Sequence, residues 1–143
     1  MDDEDIEKWV EKQRETVARY LTKHGVDDPQ VGEWPAFELA PHFAIWAIES
    51  KRTTGKIGWW AFSGDIPTDY VAEDGQCHPR HALKLLLAQW GGYLPFMKNG
   101  EYPPQMRFGP ASVSDLPMLA DLLERRMEML QSFYDDDECW EDR

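Results

Sequence analysis

The sequence predicts an α+β fold, with about three helices packed on a small antiparallel sheet in a single pair of layers. Three observations lead there. Long stretches place apolar residues at helical spacing, short apolar runs flank a polar turn, and Pro/Gly-rich segments separate them. With 143 residues, 42% hydrophobic and 29% charged, the chain has the size and composition of one soluble domain over 1–143.

The first helix is marked by Ile6, Trp9, Val10, Val17, Tyr20 and Leu21, with charges on the other face. His24-Gly25-Val26 should end it, with Gly25 left-handed and Val26 packing back on Leu21. Residues 27–41 hold four punctuating residues, Pro29, Gly32, Pro35 and Pro41, and read as an irregular loop tied to the core by Trp34 and Phe37. A hairpin follows, Phe43–Glu49 and Ile57–Ser63, joined by the polar SKRTTGK turn. In a strand, Trp59 and Trp60 must face opposite ways, so either both faces are covered or one indole is exposed. The segment SGDIPTDYVAEDGQ reads as a turn-rich connection. Pro79 opens the next helix, whose stripe is Ala82, Leu83, Leu86, Leu87, Trp90 and Leu94. Gly91-Gly92 and Pro95 should end or kink it, and 99–113 should be loop. The last helix starts near Ser114-Asp115 and carries Leu116, Leu119, Leu122, Leu123, Met127, Leu130 and Phe133.

The net charge of −12 argues against nucleic acid and anionic membrane as partners. Its distribution says more. Residues 1–7 carry five acids and no base, while 135–143 carry six acids and Arg143. The body between these two acidic end segments is close to neutral. The first block precedes a helix, whose dipole favours acids. The second follows a helix, where the same dipole disfavours them, so it is the better candidate for a basic partner. Trp140 within it either folds back on the domain or anchors that partner. The candidate partner-binding residues are Asp135, Asp136, Asp137, Glu138 and Trp140. No apolar run is long enough to span a membrane, and the acidic start lacks a leader pattern, so a cytoplasmic location is expected.

Catalytic signals are weak. Asp65 and Asp69 stand four apart at a strand end, where paired carboxylates can divide acid and base roles, with His78 further along. The same residues suit turn chemistry at least as well. Cys77, just before a helix, could have a lowered pKa. Cys77, His78 and His81 fall short of a zinc set, and the 135–138 acids lack the spacing of a calcium loop. No metal and no cofactor are expected.

The phrases VGEWP at 31–35, GWWAFSGDIPTDY at 58–70, HPR at 78–80 and the closing DDDE at 135–138 resemble a family of bacterial proteins. It is the family numbered 4826 among domains of unknown function. The resemblance brings no activity, cofactor or catalytic residue. It implies a bacterial, cytosolic, stand-alone protein whose acidic end belongs to the domain. The charge concentrated at the ends, Trp140 within it and the lack of a complete catalytic constellation lead to the expectation of a non-enzymatic binding or inhibitory protein, such as a toxin-neutralising one, that engages a basic protein. The alternative is a small enzyme centred on Asp65, Asp69 and His78.

Overall fold

The computed structural model describes residues 1–108 and 112–141. Helix α1 spans Asp3–Lys23. Its start is a reciprocal cap. Asp2 Oδ1 accepts the Asp5 N–H at 2.8 Å, and Asp5 Oδ2 accepts the Asp2 N–H at 3.4 Å. Its end is the predicted closure: Gly25 N–H donates to Thr22 O at 3.2 Å and Val26 N–H to Leu21 O at 2.9 Å. Gly25 takes φ +94°, which a side chain would resist.

Four strands follow in the order β1-β2-β3-β4, all antiparallel: Phe37–Leu39, Phe43–Glu49, Ile57–Gly64 and Asp69–Ala72. The predicted hairpin is β2–β3, in register Trp46↔Ala61. Gly64 pairs with Phe43 at a close backbone approach, where a Cβ would lie 2.6 Å from His42 O. Ala44, Trp46, Ile48 and Ala61 face one way and pack with Val10, Val17 and Leu21 of α1, with Trp59 partly buried against them. Trp46 Nε1–H satisfies itself on the buried Ser63 hydroxyl at 3.1 Å. Phe43, Ile45, Trp60 and Phe62 face the other way and are also buried. Both faces are thus covered, which is why β2 shows no alternation.

Three expectations fail here. The 27–41 loop contains β1 and a bridge from Val31 to Ile48, and the turn-rich connection contains β4. These strands hold three and four residues, too few for a period of two to stand out among prolines and aspartates. Trp34 does not tie the loop down. It is 52% exposed, and Pro35 and Phe37 take the buried positions.

The chain forms two compact units, one over residues 1–79 and one from Arg80 onward. In the second, α2 runs Pro79–Lys98 without stopping at Gly91-Gly92 or Pro95. Pro95 withdraws the donor that the Gly91 carbonyl would use, but both residues lie on an exposed face where water can replace it. Trp90, Tyr93 and Met97 keep the last turns anchored. A 3-10 turn, Val113–Asp115, leads into α3, Leu116–Asp135. Its buried stripe is Leu116, Ala120, Leu123 and Leu130, whereas Leu122 from the expected stripe is exposed. Helix α4, Asp137–Trp140, was not anticipated. Three long helices and a four-stranded antiparallel sheet make the fold α+β, as predicted. No described helix is long and apolar enough to cross a membrane.

Candidate functional site

The end of α3 presents a problem that the local sequence does not solve. Its last carbonyls have no helical donors, and its last turn holds no basic residue to offset the dipole. Arg80, from the first turn of α2, supplies both. Its Nε and Nη2 donate to Tyr134 O at 3.0 and 2.7 Å, and Nη2 also pairs with Asp137 Oδ1 at 2.8 Å. The guanidinium lies 5.3 Å from the Tyr134 ring centroid and 5.8 Å from that of Trp140, within cation–π range.

The chain then turns and starts again. Asp136 leaves α3 with extended backbone and caps α4, its Oδ1 accepting the Glu138 N–H at 3.1 Å and its Oδ2 the Cys139 thiol at 3.3 Å. Asp137 and Glu138 occupy the first turn of α4, where acids suit the dipole. Trp140 folds back. It is 7% exposed, and its Nε1–H donates at 2.9 Å to Phe133 O, a last-turn carbonyl of α3 that also accepts the Asp136 N–H at 3.2 Å. Asp135 Oδ1 accepts from the Gln131 amide at 3.0 Å. Contrary to what the α3 dipole alone predicts, the second acidic block has a structural role as the first does: a one-turn helix gives it a cap, and Arg80 gives it a counter-charge.

Among the predicted partner-binding residues, Asp136, Asp137 and Trp140 are therefore gathered around Arg80 and the α3 terminus. Asp135 and Glu138 remain at the surface, and the Asp137 side chain is 84% exposed despite its ion pair. Asp142 and Arg143 of the 135–143 segment, and 109–111 of the predicted loop, lie outside the described residues. Arg80 itself was missed, because its partners are 54 and 57 residues away. One signal was available. A cation in the first turn of a helix opposes that helix's own dipole, so it calls for a compensating acceptor.

The weak catalytic candidates sit in the first unit. Asp65 is exposed just past β3, with its N–H bonded to His42 O at 2.9 Å. Asp69 is fully buried at the start of β4, its Oδ1 accepting the Tyr70 N–H at 2.8 Å. His78 is exposed ahead of α2.

The thiol reading of Cys77 is reversed by Glu73. That carboxylate accepts from Trp60 Nε1 at 3.0 Å, from Gly75 N at 2.8 Å, from Cys77 N at 3.2 Å and from Cys77 Sγ at 3.1 Å. Partial burial pushes the Glu73 pKa up, but the bonds from Trp60, Cys77 and Gly75 outweigh it and hold the group below its ordinary value. The thiol is pushed up instead of down, first by its hydrogen bond to Glu73 and then by desolvation and the neighbouring negative charge. Among the described residues no three His, Cys, Asp or Glu side chains are grouped to hold a metal ion.

A family model described as Domain of unknown function (DUF4826) matches residues 3–140. The chain belongs to that family. The DUF4826 match runs through Trp140, so the acidic turn and its buried indole fall within the family's span and are not an appendage to it. No curated protein and no solved structure matches the chain.

Proposed function

We propose that this protein is a non-enzymatic binding module, cytoplasmic and bacterial, that engages a basic protein partner through its acidic C-terminal segment. Neutralisation of a basic toxin is one activity of that kind. The observation that supports this reading is the anchoring of the segment by Arg80 and Trp140. Acids on a loose tail lose conformational freedom on binding, at about 0.5–1.5 kcal/mol per immobilised side chain. Here the backbone is already fixed, and Asp135, Asp137 and Glu138 stay exposed on it. A pre-organised acidic surface attracts a cationic partner quickly and with strong salt dependence.

The test compares wild type with an Asp135→Asn/Glu138→Gln/Glu141→Gln variant as bait in host lysate. These three side chains are exposed, and the substitutions leave the Arg80 and Trp140 contacts alone. Wild type should retain basic proteins at about 0.1 M salt and lose them at about 1 M, where the Debye length falls to about 3 Å. The variant should retain few at either salt. Identical partner sets for both baits, unaffected by salt, would overturn the reading.

A further inference from the structure

Helices α2 and α3 run antiparallel, with Arg80 at the start of α2 bonded near the end of α3 and Lys98 at the end of α2 paired with Glu124 at 2.8 Å. Between them lies a groove of about 540 Å³. Leu87 and Ala88 of α2 and Met127 and Tyr134 of α3 give it apolar walls. Its α3 lip is acidic. Glu124, paired with Lys98, and Glu128 line it, and Asp121 and Asp135 continue the same helical face in both directions, at spacings of three, four and seven residues, so that the acids outnumber Arg125, which shares that face. Lys98 responds to Asp121 as well as Glu124, both of which push its pKa up, as expected if the two acids share one side of α3. The opposite lip carries Lys84.

We infer that this groove receives an amphipathic helix of the basic partner, with its apolar stripe against Leu87 and Met127 and Lys or Arg side chains along the α3 lip. The inference rests on the proposed function and says where the partner's apolar surface goes. From residue 124 to residue 134 the groove is about 15 Å long at about 1.5 Å per residue, enough for about three turns. A helix in an apolar groove is read through anchors at i, i+3/i+4 and i+7. Met127 suits such a site, because its unbranched thioether adapts to different anchors. The lip charges fix the occupant's sign and orientation: the basic flank lies toward α3, away from Lys84.

The experiment titrates full-length protein carrying ¹³C-methyl methionine with three synthetic helices of about three turns. One has a Leu stripe flanked by Lys, the second has Glu in place of Lys, and the third has Lys without Leu. The first should shift the Met127 methyl and leave the exposed Met118 methyl in place. The other two should bind at least tenfold more weakly. Glu128→Lys should weaken the first peptide at least tenfold, and Leu87→Asp should do the same, whereas Lys84→Ala should not weaken it. A shift at Met118 instead of Met127, equal binding of the Glu peptide, no binding at all, or a Met127 shift that depends on protein concentration without peptide would each overturn the inference. Binding lost in the Asp135/Glu138/Glu141 variant but kept in Glu128→Lys and Leu87→Asp would leave the proposed function standing and remove the groove.

Discussion

At the N-terminus, Asp3, Glu4 and Asp5 lie inside the first turn of α1, and Asp2 and Asp5 cap each other's backbone. At the C-terminus, Asp136, Asp137 and Glu138 lie at and inside the first turn of α4, and Asp136 is again the cap. The local chemistry is the same, and the support is different. The 21 residues of α1 carry their own apolar face into the sheet, whereas α4 has four residues and no stability of its own. The second block is held by two contacts that reach beyond it, the Arg80 guanidinium and the buried Trp140 indole. An acidic cluster therefore means different things depending on what fixes the backbone beneath it.

That contrast makes Trp140 the first place to break it. Trp140→Ala should destabilise the protein by about 3 kcal/mol, the low end for truncating a buried Trp, because a terminal turn can undock separately. An unchanged midpoint in urea denaturation would mean that the indole does not anchor the segment. Arg80→Met comes next, at about 2 kcal/mol, for two charge-assisted bonds to Tyr134 O, an ion pair and the ring contacts. Because the guanidinium is partly exposed, the Asp137 pair itself adds little of this. The same variant should raise the rate at which Cys139 is alkylated, since α4 loses its tether. A Cys139 rate equal to wild type would show the segment held without Arg80.

The caps separate the two ends more gently. Asp2→Ala should cost about 1 kcal/mol, the usual value for a helix cap. Asp136→Ala should fall nearer about 0.5 kcal/mol, because α4 propagates no further turns to be stabilised. If the order reversed in thermal melts of the two variants, the C-terminal cap would be the more important one, and the contrast would need restating.

Much of this was legible beforehand, for physical reasons that differ by element. α1 and its closure could be read because a repeated 3.6-residue stripe and a glycine stop are both local signals. The β2–β3 hairpin could be read because two seven- and eight-residue apolar runs flank one turn. β1 and β4 could not, since their pairing is set by neighbours and not by their own composition. An end or kink in α2 is predicted because propensity penalises Gly91, Gly92 and Pro95 locally, while the burial of Trp90, Tyr93 and Met97 that carries the helix on acts at a distance. Part of the site was visible as charge, in Asp135 to Glu138, and as an isolated Trp140. What turned it from a tail into a surface was Arg80, whose contacts more than fifty residues away leave no mark at short range.

Glu73 supplies the smallest expected effect and the sharpest contrast with the acids at the ends, because its carboxylate is committed to Trp60 of β3 and to the Gly75 and Cys77 loop. Its folded pKa lies below the ordinary 4.5, so the folded state favours the charged form. The stability this contributes is present above about pH 4.5, the unfolded value, and is lost as pH falls through the lower folded value. Glu73→Gln should therefore be less stable than wild type at neutral pH, with the gap closing as both are taken into acid. Urea denaturation at neutral and acid pH measures it, and a gap independent of pH would mean that the carboxylate's charge plays no part. The partner readout is chemical. Cys77 is held above the ordinary 9.0 by its bond to Glu73, so fewer of its thiols are ionised at mildly alkaline pH. In a Cys139→Ser background, Glu73→Gln should let that pKa fall back and speed alkylation of Cys77 several-fold. If the rate stayed the same, the 3.1 Å thiol contact would not be what restrains it.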